Sequence, residues 1–350
     1  MLLPLNDDTI MSAASCLCKG GIVAFPTETV YGLGADVFNT TALARVFEVK
    51  RRPYFDPLIV HIAELSTLMR LVDYTAMDAE AIRRLKKLAN TLMPGPLTLI
   101  LPKLPEVPDL ATGGLKTVAV RFPKHSGALA LIKNSTGAVA APSANPFGYL
   151  SPTRAEHVAE QLGNDVDIIL DGGTSEIGVE STVLDLSSHL PRILRPGGVS
   201  REEIEAFIGK LDDVRPEHPH TEEPVRSFNI GQCLSPGQLK SHYAPRTKLF
   251  LLDTDFLCKE AYKRNCAYLF FNTVSFDLWK KNNPRAPLNG GHRNIFILSH
   301  NGDLRDAASN LFEKLHCIDA AAYSAIYAER APDKGLGRAI NDRLEKASNK

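Results

Sequence analysis

The chain has 350 residues, with 40 basic residues, 40 acidic residues and a formal net charge of zero at pH 7. This length suits two domains that each bury a core, and the neutral balance argues against a protein that holds RNA or DNA tightly through bulk charge. The N-terminus lacks a basic region before an apolar run, and no apolar segment approaches the roughly 20 residues of a membrane helix, so we expect a cytoplasmic protein without membrane contact.

The first predicted element is an amphipathic helix over Asp7 to Lys19, where apolar residues recur at helical spacing. Short apolar, β-rich runs follow it and predict strands at Ile22–Phe25, Leu58–Ile62, Leu97–Leu101, Val118–Phe122, Ala138–Ala141, Asp167–Leu170, Thr182–Leu186 and Ile193–Leu194. Helical patterns lie between them at Thr41–Arg51, Asp78–Thr91, Ser126–Lys133, Thr153–Leu162 and Ser200–Ile208. Because the two types do not alternate strictly, we expect an α/β domain over residues 1–210 whose open twisted sheet is mixed and carries packed helices.

After this region the apolar residues no longer recur at helical or strand spacing. Residues 211–246 are therefore interpreted as a linker rich in proline and histidine. Regular patterns return over residues 247–350 and predict a smaller parallel α/β domain. Its predicted strands are Lys248–Leu252, Ala267–Phe271, Ile295–Leu298 and Tyr323–Tyr327. Its predicted helices are Cys258–Arg264, Leu304–Leu315 and Gly337–Glu345.

In each of four segments we expect a buried apolar strand that ends in small polar or basic residues: FPTETVYG from Phe25, VAVRFP from Val118, VAAPSANPFG from Val139 and GVESTVLDL from Gly178. If these strands end together on one side of a sheet, their polar side chains surround one crevice suited to a polar small molecule. The side chains concerned are Thr27, Thr29, Arg121, Ser143, Asn145 and Ser181. The alternative is that each segment is an ordinary turn, where such residues are common.

Basic residues add a possible phosphate site. Lys50 and Arg52 follow a helical pattern, and Arg195 stands before a proline and two glycines. Arginine binds phosphate oxygens with two nitrogens at once, so the three residues together suit a polyphosphate, although a solvated helix end also attracts lysine and arginine. His61, in an apolar run, is equally consistent with a hydrogen-bonded core histidine.

Several common site signatures are absent from the sequence. It contains no P-loop, no dinucleotide-binding glycine fingerprint and no nucleophile elbow, so a nucleotide must be held by a less common scaffold. The six cysteines include no Cys-x-x-Cys pair, and His218 and His220 form one isolated pair. We therefore expect reduced thiols and no metal site.

Taken together, these segments resemble the YrdC-like threonylcarbamoyl-adenylate synthases in their two-domain form. The matching segments are GGIVAFPTETVYGLGAD, VKRRPYFDPLIVHI, MPGPLTLIL, VAVRFP, APSANPFGYLSPT, GVESTVLDL and ILRPGGVS, which span most of residues 10–210, and SPGQLKSHYAP in the linker. The resemblance implies a YrdC-like sheet around a basic cavity, followed by a Rossmann-like domain. It also implies a nucleotidyltransferase that makes threonylcarbamoyl-AMP and pyrophosphate from L-threonine, bicarbonate and ATP.

The resemblance further implies that Mg²⁺ accompanies ATP, without a permanently bound cofactor, and that a tRNA threonylcarbamoyl transferase takes the product for tRNA modification beside the anticodon. Direct tRNA binding is expected to be weak or indirect. ATP contacts are implied for Lys50, Arg52, Asp56, Thr117, Ser143, Asn145, Ser151 and Arg195, of which Lys50 and Arg52 have the catalytic role on the phosphates. Threonine contacts are implied for Thr27, Thr29, His61, Arg121 and Ser181, with Arg121 on the carboxylate, and a lid for His242 and Tyr243.

Two residues depart from the family pattern. Asp56 stands where Asn or another neutral polar residue is common, and Gln238 replaces a methionine of the linker signature. Three other interpretations stay open at this point: a non-catalytic binder of double-stranded RNA, an enzyme that forms a carbamoyl-adenylate from carbamoyl phosphate, and a second domain that binds a nucleotide by itself. The first predicts salt-dependent RNA binding without ATP turnover.

Overall fold

The computed structural model describes residues 1–212, 234–237, 242–284, 286 and 294–349. These residues form a ten-stranded mixed sheet and a separate four-stranded parallel sheet, both covered by helices. The predicted α/β class, with a mixed sheet first and a smaller parallel sheet second, is therefore confirmed. Gln238, His218 and His220 lie outside the described residues.

The larger sheet has the strand order β1-β8-β2-β3-β7-β4-β6-β5-β9-β10. Its strands are β1 Leu2–Pro4, β2 Val23–Phe25, β3 Gly32–Asp36, β4 Ile59–Ile62, β5 Leu97–Pro102, β6 Thr117–Arg121, β7 Ala138–Ala140, β8 Ile168–Asp171, β9 Thr182–Asp185 and β10 Arg192–Arg195. Its helices are α1 Asp7–Cys18, α2 Thr40–Lys50, α3 Ala79–Leu92, α4 Asp109–Thr112, α5 Ser126–Asn134, α6 Ala155–Leu162 and α7 Arg201–Ile208. A capping box formed by Ser200 and Glu203 begins α7.

The strands that carry the polar segments do not end at one edge of this sheet. β7 is antiparallel to β4, β4 is parallel to β6, and β2 runs in the same direction as β7 because each pairs antiparallel with β3. The expectation that these strands end together is therefore wrong. His61 pairs with Arg121, and Ile59 lies two residues before His61, so these three side chains share one face of the sheet. The site lies on that face.

Two strands escaped prediction. β1 has three residues, which is too short for a pattern, and β3 reads GLGAD, a composition that is unfavourable for strands. The glycines of β3 are required by packing. A Cβ on Gly34 would lie 2.7 Å from a methyl of Val139 and 2.8 Å from the ring of Phe25. The missing side chains let neighbouring strands pack closely.

The smaller sheet has the order β11-β14-β12-β13. Its strands are β11 Leu249–Leu252, β12 Cys266–Phe270, β13 Ile295–Ile297 and β14 Ala325–Glu329, and its helices are α8 Thr254–Lys259, α9 Thr273–Asn282, α10 Leu304–Ala320 and α11 Gly337–Ser348. One apolar cluster joins α10 and α11 to the sheet, and another joins α8 and α9 to it. The sheet is thus sandwiched between two helix layers.

The helix predicted over Cys258–Arg264 is wrong. α8 begins earlier and ends at Lys259. Residues in and just after α9, a helix that was not predicted, form hydrogen bonds with the chain that follows α8. Trp279 Nε1 donates to the carbonyl oxygen of Glu260 at 2.9 Å, and the side chain of Asn283 accepts from the backbone nitrogen of Tyr262 at 2.8 Å. Tertiary contacts here override the local helical pattern.

The two sheets share an apolar interface. Val30, Leu150 and Val179 from the first unit and Tyr243 from the linker belong to the same buried cluster as the inner faces of α10 and α11. A continuous core across the interface fixes the second unit against the face that carries the site. Among the described residues, no helix combines the length and the apolar character needed to cross a bilayer.

Candidate active site

A cavity with about 40 Å³ of free volume lies between the open face of the larger sheet and the described linker residues. Nine of the residues that line it belong to the predicted site: Thr27, Arg52, His61, Arg121, Ser143, Ser181, Arg195, His242 and Tyr243. The sheet, the loops and the linker therefore bring most of the predicted side chains together. The other six predicted residues do not line the cavity: Thr29, Lys50, Asp56, Thr117, Asn145 and Ser151.

Arg121 is held from two sides in the cavity wall. Its Nη1 donates to the hydroxyl of Thr29 at 2.8 Å, and its Nη2 lies 2.8 Å from a carboxylate oxygen of Glu28. The hydroxyl of Thr29 is in turn 2.9 Å from that of Thr27. Arg121 Nε has no hydrogen-bond partner among the described residues. A buried guanidinium fixed at one end, with a donor still available, suits recognition of a small carboxylate.

His61 is 3% exposed, and its Nδ1 lies 3.2 Å from the carbonyl oxygen of Ile59. Burial, together with the nearby Arg121, lowers the pKa of His61 to about 3. The imidazole is therefore neutral at physiological pH. Beside the cationic Arg121 it can offer shape and hydrogen bonding to a ligand without adding a second charge.

Ser181, in the cavity wall, links β5 to Arg195. Its hydroxyl lies 2.7 Å from that of Thr98 on β5, and its carbonyl oxygen accepts from Arg195 Nη2 at 2.9 Å. Arg195 Nη2 also donates to the Ser181 hydroxyl at 3.2 Å. The loop after Arg195 packs directly on this segment, since a Cβ on Gly197 would lie 2.3 Å from the carbonyl oxygen of Glu180. Ser181 and Arg195 are thereby fixed relative to each other.

Arg52 is held by the loop that follows it. Its Nη2 donates to the carbonyl oxygen of Pro57 at 2.8 Å and lies 2.9 Å from a carboxylate oxygen of Asp56. Burial raises the pKa of Asp56, and Arg52 and Lys50 oppose that effect. The departure at Asp56 thus places a carboxylate among the predicted phosphate-binding cations, where it partly neutralises them when no ligand is bound.

Lys50 lies at the end of α2 and is 1% exposed. Its ammonium donates to the carbonyl oxygens of Ser143, at 2.6 Å, and Asn145. Burial, followed by repulsion from Arg52, lowers the pKa of Lys50 well below its usual value. In this conformation Lys50 supports the Pro-Ser-Ala-Asn loop from behind the cavity wall.

The remaining predicted ATP residues lie around that loop or apart from it. The Asn145 side chain donates to the carbonyl oxygens of Pro146 and Tyr149, at 2.8 and 3.0 Å, so it shapes the loop. The hydroxyl of Ser151 donates to Glu180 at 2.5 Å. Thr117 begins β6 and Arg121 ends it, which separates the two by roughly 13 Å.

The described linker residues press into the cavity as a short strap, which we define as Pro236–Gly237 and His242–Tyr243. Tyr243 is 1% exposed and has a left-handed backbone with φ of 60°. Gly237 also has positive φ, and a Cβ there would lie 2.6 Å from the Tyr243 hydroxyl. Burial, then the charge of Arg52, lowers the pKa of His242 well below its usual range, so its ring is neutral.

The described residues contain no group of three or more metal-ligating side chains. Two carboxylates lie near the expected phosphate site. Asp56 is paired with Arg52, and the two oxygens of Glu180 accept from Ser151 and Arg343. Both carboxylates are already paired with cations, so we do not expect either to be a direct ligand of Mg²⁺. The residues therefore fit a Mg²⁺ ion that is carried on nucleotide phosphates.

Sequence reasoning missed three buried side chains that support the site: Glu28, Thr98 and Glu180. Glu28 and Glu180 lie inside the recognised motifs, directly next to predicted site residues. A buried arginine needs a carboxylate partner, and that need, for Arg121 and Arg195, could have pointed to these two glutamates. Thr98 is a polar residue within the apolar strand β5, which is itself a sign of a buried hydrogen bond.

Comparison with known proteins agrees with this architecture. A family model described as "Telomere recombination" matches residues 15–197, and one described as "Threonylcarbamoyl-AMP synthase, C-terminal domain" matches residues 199–349. The chain is 40% identical to the threonylcarbamoyl-AMP synthase of Pyrococcus abyssi, over 97% of this chain and 94% of that protein. It is 39% identical to that of Bacillus subtilis, over 99% and 94%.

A solved structure of P. abyssi Sua5 complexed with L-threonine is similar over both sheets. It aligns with a TM-score of 0.81 and 37% identity, covering 99% of this chain and 97% of that one. The matches span nearly the full length of both chains, so they include the larger sheet, the linker and the smaller sheet. The chain therefore belongs to the threonylcarbamoyl-AMP synthase family.

Proposed function

We propose that this protein is an L-threonylcarbamoyladenylate synthase, which converts L-threonine, bicarbonate and ATP into threonylcarbamoyl-AMP and pyrophosphate. The carrying observation is the cavity itself, where Arg121, a buried arginine with an available donor, lines the same small chamber as Arg52 and Arg195. Two threonylcarbamoyl-AMP synthases that are 40% and 39% identical to this chain over nearly its full length support the same activity. A similar structure that holds L-threonine supports it as well.

Threonine is proposed to bind on the Arg121 side. Arg121 takes the carboxylate, and Thr27, Thr29, His61 and Ser181 surround the rest of the amino acid. The neutral His61 and the hydroxyls of this wall offer hydrogen bonds without a competing charge. Thr29 acts through Arg121, since its hydroxyl accepts from Nη1 and it does not line the cavity.

The nucleotide is proposed to bind on the side of Arg52, Ser143 and Arg195, with Asn145 and Ser151 supporting that wall. Lys50 and Asp56 adjust the charge behind it. Mg²⁺ arrives on the phosphates of ATP as part of the substrate. Thr117, at the far end of β6, is proposed to contribute only if the nucleotide extends along that strand.

The chemistry needs no protein nucleophile. The amine of threonine combines with bicarbonate to give a carbamate and water, and a carbamate oxygen then attacks the α-phosphorus of ATP as the bond to the departing pyrophosphate breaks. The protein has to hold the reactants in line and neutralise charge on the phosphates. Arg52 suits this task better than Lys50, because Arg52 lines the cavity and its loop already orients it, whereas Lys50 does not line the cavity.

The strap has to move for the nucleotide to enter. Ligand sites of this kind occupy roughly 300–1,000 Å³, whereas the cavity with the strap in place has about 40 Å³ of free volume. His242 and Tyr243 are therefore proposed to withdraw for binding and to close over the ligands afterwards. The product is proposed to pass to a tRNA-modifying transferase, and nothing in the neutral charge balance favours direct tRNA binding.

Carbon-labelled bicarbonate tests this proposal directly. After incubation with ATP, Mg²⁺ and L-threonine, we expect the label to appear in a product that also contains adenosine and threonine, in equal amount to the pyrophosphate released. Arg121→Met combined with Glu28→Gln is the matched control, because it removes the carboxylate donor without leaving the carboxylate of Glu28 buried and unpaired. Pyrophosphate without label in an adenylate would overturn the proposal.

A further inference from the structure

The second unit sends one side chain into the wall of the active site. Arg343, on α11, is fully buried, and its Nε donates to a carboxylate oxygen of Glu180 at 2.6 Å. Its Nη1 donates to the carbonyl oxygen of Pro196 at 3.0 Å, and its guanidinium carbon lies 5.0 Å from the centre of the Tyr243 ring. One arginine thus contacts three separate segments that line or support the cavity.

Two of these contacts lead to residues proposed for the nucleotide side of the site. The other oxygen of Glu180 accepts from the hydroxyl of Ser151, and Pro196 directly follows Arg195. Burial alone would raise the pKa of Glu180, but Arg343 and Arg195 lower it to about 2, so the carboxylate stays ionised. Because a buried ion pair with additional hydrogen bonds has one favourable geometry, it fixes the position of the groups attached to it.

The same helix also holds the strap. Tyr243 lies between Arg343 and Phe312 of α10, whose ring centre is 5.8 Å from that of Tyr243. The backbone nitrogen of His242 donates to the carbonyl oxygen of Lys346 at 3.3 Å. A strained, left-handed Tyr243 persists only where its surroundings determine it strongly, and these contacts from α10 and α11 are such surroundings.

We propose that Arg343 is a positioning residue for the nucleotide half of the active site, and that through it the second unit takes part in catalysis. This inference rests on the proposed function. It favours the nucleotide side, because Arg343 reaches Ser151 and Arg195 through its partners, whereas Arg121 and Thr29 receive no contact from it in the described residues. Ser181, which follows Glu180 and bonds Arg195, is the proposed threonine contact closest to these partners, so a smaller change in threonine binding is expected. A role limited to holding the two units together would affect both substrates alike.

The test compares Arg343→Met with Arg338→Met. Arg338 lies on the same helix and also bridges the two units, since its Nη1 donates to Glu202 at 2.7 Å, but its side chain is 34% exposed and remote from the cavity. We expect Arg343→Met to raise the KM for ATP about tenfold and to lower kcat, with the KM for threonine changed less than about twofold. Arg338→Met should leave all three values within about twofold.

A second variant covers the case in which Arg343→Met fails to fold, because that change leaves Glu180 buried and unpaired. Glu180→Gln together with Arg343→Met removes both charges, and a buried pair replaced as a whole is tolerated better than one broken in half. The double variant should show an ATP defect similar to that of Arg343→Met, and smaller than the product of the two single effects, since both changes remove one interaction.

Calorimetric titration of each variant with ATP, without threonine, measures the same contact in the absence of turnover. It therefore distinguishes failure of this inference from failure of the proposed synthase activity, which would appear in the parent protein. Unchanged ATP affinity in both Arg343→Met and the double variant would overturn the proposal. Equal losses for ATP and threonine in both variants would overturn it as well.

Discussion

Arg121 donates through Nη1 to the hydroxyl of Thr29 at 2.8 Å, although the two residues are 92 positions apart in sequence. The contact joins the loop after β2, which contains the PTETVYG segment, to the end of β6. The strands between them run in opposite directions. This contact explains why a strand followed by hydroxyls is useful here. The hydroxyl of Thr29 orients a guanidinium, and the guanidinium is the proposed threonine contact.

Thr29→Val should therefore raise the KM for threonine by about fivefold to tenfold and leave the KM for ATP nearly unchanged. The substitution keeps the shape of the side chain and removes the acceptor for one hydrogen bond to a charged group. Steady-state kinetics with each substrate varied in turn measures the effect. Thr112→Val is the control, because Thr112 is equally buried but bonds only to nearby backbone carbonyls; equal changes in both variants would contradict the assignment.

Arg52→Lys should lower kcat by about a hundredfold, since lysine keeps the charge but cannot maintain the several contacts that orient Arg52. Arg51→Lys supplies the matched control at the neighbouring position, where the side chain is exposed. Its kcat should stay within about twofold of the parent. Pyrophosphate release at saturating substrates measures kcat. A kcat of Arg52→Lys within about twofold of the parent would mean that positive charge suffices and that the geometry of Arg52 does not matter, and comparable losses at both positions would mean that the effect is not specific to Arg52.

Gly237→Ala should reduce activity more strongly than Gly209→Ala. Both glycines have positive φ, 79° and 83°, so both variants carry a similar backbone penalty of about 1 kcal/mol. Only at Gly237 would the new Cβ meet the Tyr243 hydroxyl, at 2.6 Å, and the side chain of Arg195, at 3.3 Å; at Gly209 it would enter open space. The Gly237 variant should lose at least tenfold in kcat/KM for ATP. Equal activities in the two variants would show that the strap position is unimportant.

The free energy of unfolding should fall as pH falls from about 6.5 towards 5. Burial lowers the pKa of His61 to about 3, and burial together with His157 lowers that of His316 to about 4. An unfolded histidine titrates near 6.5, so between these values the unfolded chain binds more protons than the folded one, and the stability that is complete above about pH 6.5 is lost on acidification. Each such histidine contributes a slope of up to about 1.4 kcal/mol per pH unit.

Urea denaturation at several pH values measures that slope. His316→Gln should reduce it, because glutamine can still donate to the carbonyl oxygen of Ser151, which the His316 ring contacts at 3.1 Å, but does not titrate. Glu180, with a pKa lowered to about 2, adds its own loss of stability only below its ordinary value near 4.5. An identical slope in the parent and in His316→Gln would contradict the assignment of the acid effect to buried neutral histidines.

The sequence was sufficient for the family, the fold class and most of the elements, because those depend on motifs and periodicity within short segments. The boundaries of α1 and the capping box of α7 are examples of such local signals. The Rossmann-like second unit and the nucleotidyltransferase activity, both implied by the resemblance, agree with the fold and with the relatives.

Other features depend on contacts between distant segments and could not be predicted. β3 forms because glycine lets two neighbours approach, and α8 ends early because Trp279 and Asn283 hold the following chain. Arg343 lies in an ordinary amphipathic helix, and only the packing of α11 against the larger sheet reveals its partner Glu180. The roles assigned to individual site residues remain predictions that the variants above can test.

The most direct test of the central claim is pyrophosphate release from ATP by the purified protein with Mg²⁺ and bicarbonate. L-threonine is supplied, or replaced by serine, valine or nothing. The account predicts rapid release with threonine and bicarbonate together, and little release when either is omitted or when valine, which lacks the hydroxyl, replaces threonine. Release that is indifferent to threonine, or no release while the protein binds RNA tightly, would contradict it.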